Sequence, residues 1–152
     1  PTSGSSRRYH ASMGHDAEQS ARKKAVQYSS TRVKDMITNV VDQVGNASGI
    51  TDPQRVQREY EKQISEGGIS QLKSKSWYLE KWQDPSGAIY WKAFLLTEIP
   101  KSVLDRALSD VMRSENAKLQ AQKSTAKPND KETIDAMMKA FEDIEKNGFK
   151  LD

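Results

Sequence analysis

The chain has 152 residues, enough for one domain with a core of its own. Hydrophobic residues make up 35% and charged residues 30%, too polar a balance for one compact globule that uses every residue, so extended helices or polar tails are expected. A formal net charge of +3, with no Lys/Arg run longer than Arg22-Lys23-Lys24, supplies no polybasic tract for nucleic acid, and zero cysteines exclude disulfides, thiolate nucleophiles and cysteine metal sites.

No apolar stretch approaches the roughly 20 residues that a membrane helix needs. The chain opens at Pro1 rather than at a methionine. That is the expectation for a processed or trimmed product, whose leader or lipid anchor would lie upstream.

Pro1 to Ser6 read as a small polar tail, and Arg8 to Gly14 predict a short strand ending at a glycine. Asp16 then offers an N-cap, with Gln19 three residues on in capping-box position. From Ala17 to about Val44 the pattern is helical: Val26, Val33, Ile37, Val40 and Val44 recur at spacings of three, four and seven, and Met36 and Val41 widen the stripe. Gly45-Asn46 closes this helix. Thr51-Asp52-Pro53 opens a second helix with proline just inside the cap. It carries Val56, Tyr60 and Ile64 on a narrow stripe and stops near Gly67-Gly68.

Ser76 to Ile99, within a hairpin expected over about Ile69 to Ile99, holds two aromatic-rich runs around Asp84-Pro85-Ser86-Gly87. Proline presets φ at the second turn position, Asp84 can bond the turn backbone, and Gly87 can take positive φ. Trp, Tyr, Phe, Ile and Leu suit a pleated, half-buried surface. Tyr90, Phe94 and Leu96 share one face, and Ile89, Trp91, Ala93 and Leu95 the other; Trp77, Leu79 and Lys81 alternate with Tyr78, Glu80 and Trp82. Both faces are largely apolar, so each is expected to pack on helices or on another subunit, because such a hairpin is not stable alone in water.

Pro100-Lys101-Ser102 leads into a third helix striped by Val103, Leu104, Ala107, Leu108, Val111 and Met112. Past Arg113 the stripe thins to Ala117, Leu119 and Ala121, which predicts a solvated extension. Residues 123–129, with Pro128, read as a linker. Asp130 is expected to cap a last helix carrying Ile134, Met137, Met138, Phe141 and Ile144, closed by Asn147-Gly148. That apolar stripe suits its own domain or a partner equally well. The domain reading is therefore a core over residues 1–122 with its polar tail, a linker over 123–129 and a C-terminal helix over 130–152. The fold class expected is α+β: a three-stranded antiparallel sheet in the order strand–helix–strand–strand, a long covering helix and two C-terminal helices.

Few residues suggest chemistry. His10 and His15 have no metal-ligand spacing beside Asp16 or Glu18. There is no Gly-x-Ser-x-Gly elbow, and the phosphate-loop and dinucleotide glycine patterns are absent. Nothing in the sequence brings Glu80, Asp84, Glu98 or Asp105 together as paired carboxylates. Lys73, Lys75, Lys81 and Lys92 do interleave with Trp77, Trp82 and Trp91, as on sheets that stack bases, but two apolar faces fit burial better than an open platform. No catalytic residue, cofactor or metal is expected, and no nucleic acid.

Two segments carry a family resemblance. Tyr9-His10-Ala11-Ser12-Met13-Gly14 precedes a helix containing Ala21-Arg22-Lys23-Lys24-Ala25; Trp82-Gln83-Asp84-Pro85-Ser86-Gly87 precedes Tyr90 in an apolar strand. Together they resemble the FlgP-type bacterial outer-membrane-associated lipoproteins, the twenty-kilodalton lipoprotein family. The resemblance implies a dodecin-like strand–helix–strand–strand fold and a place in the periplasm at the outer membrane. It also implies a ring or disk scaffold, as around a flagellar motor, with other cell-envelope or motor proteins as partners. No catalytic residues come with it. The family's lipid-attachment cysteine is absent, so a membrane link would need an anchor outside this sequence.

The expected function is a non-enzymatic subunit that forms a homo-oligomer. Trp77, Trp82, Tyr90, Trp91 and Phe94 would hold the sheet and its interfaces, and Leu104, Leu108, Met137 and Phe141 would pack helices within or between subunits. The alternatives are a binding module for a protein partner or single-stranded nucleic acid, and a small-ligand pocket between subunits in which tryptophans stack a flat cofactor.

Overall fold

The computed structural model describes residues 3–45, 49–68 and 73–150, with side chains for all of these except residues 3–15, Ser74, Lys75 and Trp77. The elements run α1 (Ser3–Val44), α2 (Pro53–Gln63), a π-helical turn (Ile64–Gly68), β1 (Lys73–Gln83), β2 (Ile89–Glu98), α3 (Lys101–Lys123) and α4 (Pro128–Asn147). The sheet is a two-stranded antiparallel hairpin. The three-stranded sheet expected from the sequence is therefore corrected, and with it the dodecin-like arrangement: Arg8 to Gly14 lie inside α1, which passes through Asp16 without a cap. A strand there would need an edge to pair with, whereas a helix satisfies its backbone groups locally. Tyr9 and Met13 are four apart and suit a helical face as well as they suit alternation. Gly14 costs a helix only about 1 kcal/mol relative to alanine.

The chain divides into two compact units, one made of Pro1–Ala25 with Leu72–Ile99 and the other of Val26–Gln71 with Pro100–Asp152. In the first unit, β1 and β2 pair in a register that sets Tyr78 opposite Phe94, Glu80 opposite Lys92 and Trp82 opposite Tyr90, with an irregularity between Ser74 and Ser76. Asp84 builds the turn. Its Oδ1 accepts hydrogen bonds from the Ser86 amide (2.9 Å), the Ser86 hydroxyl (2.6 Å) and the Ala88 amide (3.0 Å). The Ser86 hydroxyl first, and then the turn amides, hold the Asp84 carboxyl below its usual value. Gly87 sits at φ +87°, open to glycine at little cost.

The second unit is helical, with its core on the predicted stripes. Val33 and Ile37 of α1, Val56 and Tyr60 of α2, Leu108 and Met112 of α3 and Met137 and Phe141 of α4 are all fully buried. The α2 cap forms as its sequence predicts: Asp52 accepts from the Gln54 amide at 3.0 Å, with Pro53 in the first turn. Helix α3 does not become solvated after Arg113, because Glu115 and Leu119 are each 1% exposed. Helix α4 starts at Pro128 after Lys127, which leaves Asp130 in the first turn and not at the cap. Its partner is α3. Lys123 pairs with Asp135, Asn116 reaches the Met138 carbonyl, and Ser109 and Arg113 reach Glu145, a succession that makes the two helices antiparallel. The apolar stripe of α4 thus packs within its own unit.

The end of α4 is tied down in the same way. Gly148 turns to φ +64°, and Asp105 of α3 accepts a hydrogen bond from the Phe149 amide at 2.8 Å. Phe149 then lies edge-on against Tyr60, ring centres 5.9 Å apart.

Candidate functional site

The hairpin carries the surface most in need of a partner. Alternation along β1 and β2 places Tyr78, Glu80 and Trp82 with Tyr90, Lys92, Phe94 and Leu96 on one face. This face is open: Tyr78 is 58% exposed, Leu96 61%, Trp82 43%, Tyr90 41% and Phe94 40%. Tyr78 stacks on Phe94 with ring centres 5.0 Å apart, and Trp82 lies parallel to Tyr90 at 6.5 Å. The Lys92 ammonium sits 4.3 Å from the Trp82 ring centre and 5.8 Å from that of Tyr90. Glu80 accepts the Trp82 indole N–H at 2.8 Å. On the opposite face Trp91 is half-buried, with Lys81 over its ring at 5.8 Å.

Of the residues assigned from sequence to the sheet and its interfaces, Trp82, Tyr90 and Phe94 fall together on the open face, and Trp91 falls on the other. The Trp77 side chain lies outside the described residues. Leu104, Leu108, Met137 and Phe141 come together elsewhere, buried in the helical unit.

Sequence reasoning missed the main buried charge. Glu115 of α3 receives both terminal nitrogens of Arg55 from α2, at 2.8 and 2.7 Å, and Lys118 at 3.1 Å; Lys118 also pairs with Glu59. Burial pushes the Glu115 carboxyl up. Hydrogen bonding within the group of Arg55, Glu59 and Lys118 outweighs this and holds it below its ordinary value. The bond to Glu115 likewise raises the Arg55 guanidinium. With both carboxylate oxygens taken, the group clamps α2 to α3. No local signal marks it, because Arg55 and Glu115 are 60 residues apart.

Tyr60 is the other perturbed group. Burial pushes its hydroxyl up to about 12, against a lowering by the Ser29 side chain and with a small further push from Asp105. A cleft of about 340 Å³ beside α3 is lined by Gln63, Ser102, Arg106 and Asp110 among others, a mixed polar surface with no converging acid–base pair. Among the described residues no three His, Asp or Glu side chains cluster as metal ligands, and the side chains of His10 and His15 lie outside that description. No helix of the described residues is long and apolar enough to cross a membrane.

No protein-family model, curated protein or solved structure matches the chain.

Proposed function

We propose that this chain is a non-enzymatic structural subunit that associates with copies of itself, and that the hairpin is the part it uses. The observation that carries this reading is the open ladder of Tyr78, Trp82, Tyr90, Phe94 and Leu96 on a two-stranded sheet. A two-stranded hairpin is marginal in water, and contiguous exposed apolar surface of this kind marks an interaction site. A closed assembly, such as a ring or disk at the bacterial envelope, is the extension that the resemblance of the Trp82–Gly87 hairpin segment supports.

The charge of the face separates this reading from single-stranded nucleic acid. By register Lys92 sits opposite Glu80 and Lys73 opposite Glu98, so among the described residues each lysine of the face is matched by an acid. A base-stacking groove instead carries an excess of cations along its length.

The test is the solution mass of the purified chain by size-exclusion chromatography with light scattering at two salt concentrations. A discrete mass above 17.1 kDa that resists salt is expected. Phe94→Glu should shift it to the monomer while the far-ultraviolet circular dichroism of the helices is kept. A parent chain that stays monomeric at tens of micromolar would overturn the reading. Salt-sensitive capture of a labelled single-stranded oligonucleotide by that monomer would put the binding module in its place.

A further inference from the structure

We infer that the occupant of the open face is the same face of a second copy, packed sheet on sheet about a two-fold axis that runs along the strands, so that Glu80 of each chain meets Lys92 of the other. This rests on the self-association proposed above and specifies its geometry. The argument comes from the order of cross-strand pairs: Tyr78 opposite Phe94, then Glu80 opposite Lys92, then Trp82 opposite Tyr90. One acid–base step sits between two aromatic steps.

A two-fold axis parallel to the strands exchanges β1 for β2 while keeping the position along them. It therefore brings Tyr78 over Phe94, Trp82 over Tyr90 and acid over base, with every contact made twice, as an isologous interface requires. The other in-plane axis, perpendicular to the strands, would set Glu80 against Glu80 and Lys92 against Lys92, and like charges face to face repel. The charges thus select one of two otherwise similar stackings.

Both charges are free for that purpose. Although they face each other across the strands, neither Glu80 nor Lys92 makes an ion pair among the described residues. Glu80 accepts the Trp82 indole N–H, and Lys92 lies over the rings of Trp82 and Tyr90. Facing sheets pack about 10 Å apart with their strands within roughly 30° of alignment, a separation that the side chains of the two faces fill. The aromatic pairs then supply the buried area, and the two ion pairs set register and orientation.

The experiment uses two single charge reversals, Glu80→Lys and Lys92→Glu, in the full chain. Each alone places like charges on both halves of the interface, and each should weaken self-association by at least about tenfold. Mixed in equal amounts they are complementary again: the lysine introduced at position 80 meets the glutamate introduced at position 92, and the native Lys92 meets the native Glu80. Association in the mixture should return to within a few-fold of the parent chain, read by sedimentation with one variant labelled. Rescue on mixing cannot come from pairing within one hairpin.

Circular dichroism and thermal midpoints of each variant confirm that the exposed reversals leave the fold intact. If both variants associate as tightly as the parent, the pairing of Glu80 with Lys92 about a strand-parallel axis is overturned, although self-association itself stands. If neither associates and the mixture fails as well, the strand-parallel register is wrong. A monomeric parent would remove the self-association reading and this inference together.

Discussion

At the scale of single residues the helical unit is governed by Glu115. A carboxylate removed from water is costly unless it is paired and hydrogen-bonded, and here Arg55 and Lys118 supply both. Removing Arg55 leaves the charge buried with one donor, so Arg55→Ala should cost about 3 kcal/mol in urea denaturation. Glu115→Gln should cost less, about 1–2 kcal/mol, because the cations it releases are about a third or more exposed and can turn to water. The sign of the pH dependence follows from the lowered carboxyl. Its stabilisation is complete above the ordinary glutamate value of 4.5 and is lost as pH falls through the lower folded value. Denaturation from pH 7 down to pH 3 should show that loss, with the slope reduced in Glu115→Gln. An unchanged acid slope in the variant would mean that Glu115 is not the group responsible. The network was not legible from sequence, since a charged residue inside a thinning stripe reads as a solvated position. Only the approach of α2 supplies the partner that lets it be buried.

Elements differ in how far local chemistry determines them. The start of α2 and the Asp84 turn are written in four or five consecutive residues, and their hydrogen bonds close within that span. The end of α4 is not local. A β-carbon added at Gly148 would lie 2.6 Å from Asp105 Oδ1, the atom that accepts the Phe149 amide, and the backbone is at φ +64°. Gly87 has a comparable positive φ, with nothing nearer than the end of Gln83 at 3.8 Å. Gly87→Ala should therefore cost about 1 kcal/mol, the backbone strain alone. Gly148→Ala should cost about 2–4 kcal/mol, as strain is joined by displacement of Asp105 and of the buried Phe149. Thermal midpoints of the two variants compare them directly, and equal losses would show that the Asp105 contact is not the origin. The distal half of α3 teaches the same lesson: Leu119 stands alone in a polar stretch, yet it is 1% exposed because α4 folds back beside it.

At the scale of the whole molecule, 35% hydrophobic residues are divided between a buried helical core and an exposed aromatic sheet face. On the self-association proposed above, covering this aromatic face would add stability that depends on concentration. All three tryptophans, Trp77, Trp82 and Trp91, lie in the hairpin strands. Tryptophan fluorescence therefore reports the hairpin, while far-ultraviolet circular dichroism reports chiefly the helices. The fluorescence midpoint should rise with chain concentration over the range in which the mass grows. A midpoint independent of concentration would mean that the ladder contributes nothing through association.

Sequence alone determined what depends on near neighbours: the period of the helical stripes, the cap at Asp52, the turn at Asp84 to Gly87 and the alternation that sorts Tyr90 and Phe94 from Trp91. Tertiary structure decided what depends on distant ones. Whether Arg8 to Gly14 become strand or helix turns on the presence of an edge to pair with, and the helix wins because its hydrogen bonds need no partner. Whether Glu115 is buried turns on Arg55, and whether the stripe of α4 is core or interface turns on the antiparallel return along α3. Hydrogen bonds between residues a few positions apart are specified by spacing, whereas burial is a property of surfaces that meet only once the chain has folded.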